Sequence, residues 1–337
     1  MNRYLRIATL PAGRAMAVTD LHGDWQRYQR LRDEFIRLRA RQECDHLIIC
    51  GDFIHTPEGA GFPDGSWEIL QDLMRLQQTY SHEDVIVLCG NHELPHIYDI
   101  LFSRGQPLVY NASLEWAIAN DQSGPGTAFS RAAVAEFLQS LPFYVVTRAG
   151  ITVSHAGAPP FANDYDALEA LVTFDHKSLL RLADDRLKHY NLKALRRDTA
   201  YRKAVHDNLA VKDPSDPRFV NLLRSEILMR YEPLMKLVWD GLFLENERGR
   251  GLDTYLADVD AFLAYMSQIA DYPQCVLTTG HVLVRGGYQT VGSRSLRFAS
   301  GIHAMPAERA CYLLFDCDKP VQSAEDLIPM LRRVDGL

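Results

Sequence analysis

The chain contains no uninterrupted apolar stretch approaching the roughly 18 residues that a membrane-spanning helix requires, and nothing in its pattern reads as a transmembrane segment. Its opening stretch, MNRYLRIATLPAGR, lacks the apolar centre of a secretory leader, so the expectation is a cytoplasmic protein. Cysteine is scarce. Six are present, at 44, 50, 89, 275, 311 and 317, with no C-x-x-C pair and with four of them inside apolar runs. That usage suits reduced core thiols and argues against a disulfide framework. Positive charge is also in deficit: Lys and Arg total 36 against 43 Asp and Glu, and the formal charge of −7 weighs against non-specific nucleic-acid binding as the main task. There is no internal repeat and no low-complexity segment.

What is present is a hydrophobic content of 47% in 337 residues, enough to bury a sizeable core as one large or two ordinary domains. The first half alternates strand and helix. RAMAVTD is a short apolar run, followed by WQRYQRLRDEFIRL with Trp25, Tyr28, Leu31, Phe35 and Leu38 at helical spacing. DHLIICGD is a second strand, TPEGAGFPDGS a Pro/Gly loop, WEILQDLMRLQQ a second helix and EDVIVLCGNHE a third strand. After a helix near 130 to 140, FYVVTRAGITVSHAG reads as two strands around an Arg148-Ala149-Gly150 turn, and the tail from Cys275 is strand-rich. A long helical stretch, roughly 163 to 238, lies between them.

The polar residues sit where apolar strands stop. One strand ends in Asp20-Leu21-His22-Gly23-Asp24, another in Gly51-Asp52, a third in Gly90-Asn91-His92-Glu93; later ones end in Ser154-His155-Ala156-Gly157 and Gly280-His281. Taken singly, each has a structural explanation, because Asp and Asn cap helices and a Gly-Asn pair makes a turn. Together, five strand ends carrying Asp, His or Asn beside Gly converge on one rim of an α/β sheet, where such residues ligate a metal or move a proton. Asp20, His22, Asp52, Asn91, His155 and His281 are a donor set of oxygen and nitrogen. They suit a pair of borderline cations such as Mn, Fe or Zn rather than oxygen-only Ca or a sulfur site. With Asp52 as the bridge, two such ions about 3.5–4 Å apart would acidify a shared water to hydroxide and stabilise an in-line phosphoryl displacement.

DLHGD, GDFIH, GNHE, SHAG and GH, in this order and at comparable spacing, resemble the signature blocks of the calcineurin-like metallophosphoesterase superfamily over roughly residues 15 to 157 and 239 to 318. The resemblance implies an α/β fold, a two-sheet β sandwich flanked by helices, here one domain over 1–337 with the helical insert 163–238 as a possible cap. It also implies one metal on Asp20, His22 and Asp52, a second on Asp52, Asn91, His155 and His281, and His92 as proton donor to the leaving oxygen. LVWDG, ENERGRG, GHVLVRGGYQTV and LRFASGIHA are similar to stretches of phosphoprotein phosphatases of the protein phosphatase 1 and calcineurin type, which puts Arg248 at the arginine that grips the substrate phosphate.

The departures are local. Those phosphatases continue the second block with an Asp and an Arg where this chain has His55 and Thr56, so a phosphate-clamping Arg and the carboxylate that orients the catalytic His are both replaced. Cys89 stands where an Arg commonly precedes the third block, and His303 occupies the place of a substrate-side Tyr. The insert carries nine Lys/Arg against three Asp over 176 to 203, either a solvated helix face or a basic cap that recruits acidic or phosphorylated partners or the phosphate chain of a nucleotide. The expected function is hydrolysis of phosphate monoesters, on phosphoproteins or small phosphoesters. A dinucleoside polyphosphate hydrolase is the alternative enzyme, and a metal-binding pseudophosphatase serving as an interaction module is the alternative of another class. The sequence leaves oligomeric state open.

Overall fold

The computed structural model describes residues 4–98, 130–209, 211–242 and 246–337. Strands β1 (Ile7–Leu10), β2 (Arg14–Val18), β3 (His46–Ile49) and β4 (Val85–Val87) occupy the first part, with helices α1 (Trp25–Ala40), α2 (Ser66–Tyr80) and the short α3 (Leu94–Tyr98) between and after them. Strands β5 (Tyr144–Thr147) and β6 (Ile151–Ser154) follow, then β7 (Val276–Thr279), β8 (Val284–Arg285), β9 (Tyr288–Thr290), β10 (Ser295–Phe298), β11 (Ala304–Met305), β12 (Cys311–Asp316) and β13 (Leu331–Arg333). They assemble as a five-stranded sheet in the order β13-β12-β2-β3-β4, a six-stranded sheet in the order β1-β5-β6-β7-β10-β9, and a two-stranded ribbon of β11 and β8.

The parallel β2-β3-β4 register, Ala15 on His46 and Leu47 on Val85, follows from the crossovers that α1 and α2 supply. Period-two burial then separates two cores. Met16, Val18, Leu47, Ile49, Val85 and Val87 face the helices and meet Tyr28, Leu31 and Phe35 of α1. Ala15, Ala17, Ile48, Cys50, Ile86 and Leu88 face the other sheet and meet Val145, Val153, Leu296 and Phe298. Because both faces are buried, these strands read as unbroken apolar runs rather than alternating ones. The expected sandwich is therefore present.

Two elements lay outside the sequence reading. β1, in the mixed stretch Ile7–Leu10, pairs parallel with β5. The helical region also continues past residue 238, through Leu242 and on to the helix Leu252–Ala270, whose Tyr255, Val259, Phe262, Leu263 and Met266 are buried. Within the insert, Leu179, Ala183, Ile227, Leu228 and Val238 join the main core. Only Val205, Val211 and Phe219 form a separate small cluster. The cysteines are all free, five buried and Cys275 partly so.

Candidate metal centre

Asp20, His22, Asp52, Asn91, His155 and His281 all follow directly on the C-terminal ends of β2, β3, β4, β6 and β7. The backbone there is unusual. Asp20, His22, Asp52, His55 and His281 hold φ between 44° and 67°, and they are five of the eight non-glycine residues with positive φ among the described residues. Each such conformation costs about 1–3 kcal/mol and survives where surrounding contacts enforce it. Here they do: His22 N donates to the Asp52 carbonyl at 2.9 Å and Gly23 N to the Phe53 carbonyl at 3.0 Å, lacing the two loops together. Glycine is required beside the ligands because a Cβ on Gly280 would overlap the Asp20 carboxylate and one on Gly90 would overlap that of Asp52.

The carboxylates are fixed by backbone donors. His281 N donates to both oxygens of Asp20, at 2.8 and 3.0 Å, and His92 N donates to Asp52 Oδ1 at 2.9 Å. Glu93, which sequence reasoning left without a role, is fully buried and clasps two strand ends. Its Oε2 accepts from Gly90 N at 2.7 Å and Asp52 N at 2.9 Å, and its Oε1 from Phe53 N at 3.1 Å. Burial and the nearby Asp52 charge push the Glu93 carboxyl up to about 8. The only sequence signal for this was its place in the block that contains Asn91 and His92.

The imidazoles complete three overlapping groups whose ligand atoms lie within 4.8 Å of one another: Asp20, His22 and His303; His22, Asp52 and His92; Asp52, His155 and His281. His155 Nδ1 contacts the Cys50 carbonyl at 2.8 Å, which can only accept, so that nitrogen carries a proton and Nε2 faces inward. Nε2 lies 2.9 Å from Asn91 Oδ1, 3.1 Å from His281 Nδ1 and 3.4 Å from Asp52 Oδ2. Burial opposes charge on His155, but Asp52 outweighs it and raises the ring to about 9. Burial lowers His22 to about 3, with His92 adding to the effect, and lowers His281 to about 4, with His155 adding to the effect. Those two rings are neutral lone-pair donors at physiological pH.

His92 stands at the edge of the group, its side chain 34% exposed and Nε2 4.0 Å from Asp52 Oδ2. Its Nδ1 turns away to His55 Nδ1 at 3.1 Å, and His55 Nε2 meets His96 Nε2 of α3 at 2.7 Å. The three rings form a chain whose last member, His96, sequence reading did not single out. Burial, then His96 and His92, hold His55 well below the usual imidazole range. Thr56 bonds Asp64 at 3.1 Å. Arg248 lies on the helical turn Glu247–Arg250, capped by Asn246. Buried Arg297 forks onto Glu247 at 2.9 and 3.1 Å and Arg250 pairs with Asp258, while Arg248 itself is exposed and holds no ion pair among the described residues. The motif ENERGRG begins at Glu245, outside the described residues.

Do these residues fit metal ions? Both nitrogens of His22 are buried without a hydrogen-bond partner among the described residues, and Nδ1 of His303 faces the Asp20 carboxylate at 3.2 Å; a bound ion would satisfy these donors. The donors are carboxylate oxygen and imidazole nitrogen with no thiolate among these groups, which suits divalent cations. The residues fit. A family model for calcineurin-like phosphoesterases matches residues 13–212, more than half of the chain. Among solved structures, a cold-active protein tyrosine phosphatase overlays with a TM-score of 0.50 at 13% identity, covering 94% of this chain and 80% of that one. A cold-active protein tyrosine phosphatase from a psychrophilic Shewanella species gives 0.48 at 14% identity, with 93% and 78% covered. A protein serine/threonine phosphatase from Saccharomyces cerevisiae gives 0.47 at 16% identity, with 93% and 76% covered. No curated protein matches the chain. At 13% identity the overlay that reaches 0.50 speaks to the fold alone. The matched span carries Asp20, His22, Asp52, Asn91 and His155 on the loops where the two sheets meet, and on that footing the chain belongs to the calcineurin-like phosphoesterase family.

Proposed function

We propose that this protein is a dinuclear metal-dependent phosphomonoesterase acting on phosphorylated proteins. The observation that carries the reading is the placement of His92, partly exposed, with one ring nitrogen toward Asp52 and the other backed by His55. Asp20, His22 and Asp52 would hold one divalent ion, and Asp52, Asn91, His155 and His281 the other. When bound, such a pair supplies an activated water and offsets the charge of the phosphoryl group. His92 Nε2–H serves the leaving oxygen as general acid. His55, neutral, accepts from His92 Nδ1–H and passes its own Nε2–H to His96, so the chain of rings orients His92 without a carboxylate. Arg248 forks onto the phosphate oxygens. The phosphoprotein class is supported by the likeness of LVWDG, GHVLVRGGYQTV and LRFASGIHA to phosphoprotein phosphatases.

The test compares kcat/KM for an aryl phosphate, phosphopeptides and a dinucleoside tetraphosphate, each with Mn, Fe or Zn supplied. Turnover of the first two is expected. No turnover with any metal would mean an interaction module, and preference for the tetraphosphate would move the substrate to dinucleoside polyphosphates.

A further inference from the structure

We propose that His303 is a direct ligand of the ion held by Asp20 and His22, giving that ion a fourth protein side chain, rather than a contact for the substrate. The inference rests on the dinuclear reading above and concerns a residue outside the five strand-end motifs. His303 Nδ1 is buried and lies 3.2 Å from Asp20 Oδ1, an ion pair when the ring is protonated. With the ring neutral, that nitrogen and that oxygen are two lone-pair donors side by side. Two ligands of one ion stand in this relation: at about 2.1 Å from the ion, they are about 3.0 Å apart in an octahedron and about 3.4 Å apart in a tetrahedron. The ring also packs edge-on against His22, centroids 4.9 Å apart, which aligns both imidazoles on the same space. Asp20, His22 and His303 offer ligand atoms within 4.8 Å of one another.

The loop that delivers His303 is pinned to the strand end that delivers Asp20. Thr19 N donates to Ser300 Oγ and Ser300 N to Thr19 Oγ1, both at 3.1 Å, while Ser300 Oγ donates to the Cys311 carbonyl at 2.7 Å. Gly301 packs so closely on the Asp20 carbonyl that a Cβ would overlap it. On the far side, Val284 N donates to the His303 carbonyl at 2.7 Å, where β8 meets β11. A side chain on such a framework is preorganised in the way a ligand must be and a substrate-contacting side chain need not be. At 25% exposure the ring is more enclosed than His92, which faces solvent at 34%.

The experiment measures both metal affinities by equilibrium dialysis against a graded chelator, with Mn and with Co, for wild type, His303→Ala and His303→Tyr. Tyr keeps a ring at the position and removes the nitrogen. Wild type should bind two ions; each variant should hold one of them at least tenfold more weakly and the other within about twofold, which also shows that the variant is folded. In the Co-loaded protein, wild type should show one more paramagnetically shifted imidazole N–H resonance than either variant. Unchanged affinities and an unchanged set of shifted resonances in both variants would overturn the assignment of His303. A wild type that binds fewer than two ions would instead overturn the dinuclear reading on which it rests.

Discussion

Asp52 belongs to two of the three candidate ligand groups. Its carboxylate is 1% exposed, Oδ1 is taken by His92 N, and Oδ2 is left facing His22 at 3.7 Å and His155 at 3.4 Å. Burial works against its charge, but the His155 and His92 charges hold it well below the usual carboxylate range. Asp52→Asn keeps the shape and removes the bridging charge, so metal content should fall toward zero for both ions together with turnover. Elemental analysis of the dialysed variant checks this; full metal content with full turnover would defeat the bridging role. His55 makes a second prediction at the same scale. A neutral imidazole orients His92 without stabilising its proton, whereas a carboxylate would do both. General-acid catalysis is worth roughly 10²–10⁴-fold and matters least for acidic leaving groups. Wild type should therefore favour aryl over alkyl phosphates, and His55→Asp should narrow the gap by speeding the alkyl esters selectively. Measuring kcat/KM across esters of graded leaving-group pKa for wild type, His55→Asp and His92→Ala decides it. A flat wild-type dependence that steepens only when His92 is lost would show that His92 needs no carboxylate.

Among the elements, the turn Glu247–Arg250 separates two kinds of arginine. Arg297, fully buried, anchors the turn through its fork onto Glu247, and Arg250 ties it to Asp258 and to the Ala158 carbonyl at 3.0 Å. Arg248 stands between these anchors with an exposed side chain that forms no ion pair among the described residues. Arg248→Ala should leave the melting temperature unchanged and cost about 1.5–3 kcal/mol in kcat/KM, the value of one hydrogen bond between charged groups. Arg297→Met strands a mostly buried carboxylate and should destabilise by about 3–5 kcal/mol. Calorimetry beside kinetics distinguishes them, and wild-type kinetics in Arg248→Ala would mean that another residue holds the phosphate. The same scale shows what was legible in the sequence. The strands could be read because both faces are buried, and the candidate ligands stood out because Asp, His and Gly interrupt those runs abruptly. β1 was missed because Ile7–Leu10 is short, with Ala8 only partly buried and Thr9 exposed. The Glu93 clasp and the pairing of His55 with His96 join residues about 40 positions apart, a relation that no local pattern encodes. The basic run of the insert is exposed, and Arg186, Lys188 and Lys203 are paired with Glu232, Asp185 and Asp207, as on an ordinary solvated helix face. Beside it Arg202, Lys203, His206 and Lys212 line an open cleft of about 440 Å³.

Across the whole molecule, the centre joins the two sheets. Asp20, Asp52 and Asn91 come from the ends of β2, β3 and β4 in the five-stranded sheet, while His155 and His281 follow β6 and β7 in the six-stranded one. Two carboxylates, Asp20 and Asp52, are buried to 1% exposure or less in this seam, and both are held below the usual carboxylate range. Such charges are costly to bury unless cations compensate them. Without metal the compensation falls to His155 and His303, whose rings Asp52 and Asp20 raise against the opposing effect of burial. Bound divalent ions should replace those protons and fasten one sheet to the other. A ligand that binds only the folded state stabilises it by about 2.7 kcal/mol at a hundredfold excess over Kd, so two sites should contribute about 5 kcal/mol. For a chain of this size that is a shift of about 2 °C per kcal/mol. Exhaustive chelation should therefore lower Tm by about 5–10 °C, Mn should restore it in a concentration-dependent way, and Asp52→Asn should melt at one temperature with or without chelator. A differential scan of wild type and variant in EDTA and in excess Mn makes the comparison. A wild-type Tm indifferent to chelator, or a variant as responsive as wild type, would show that the ions do not link the two sheets.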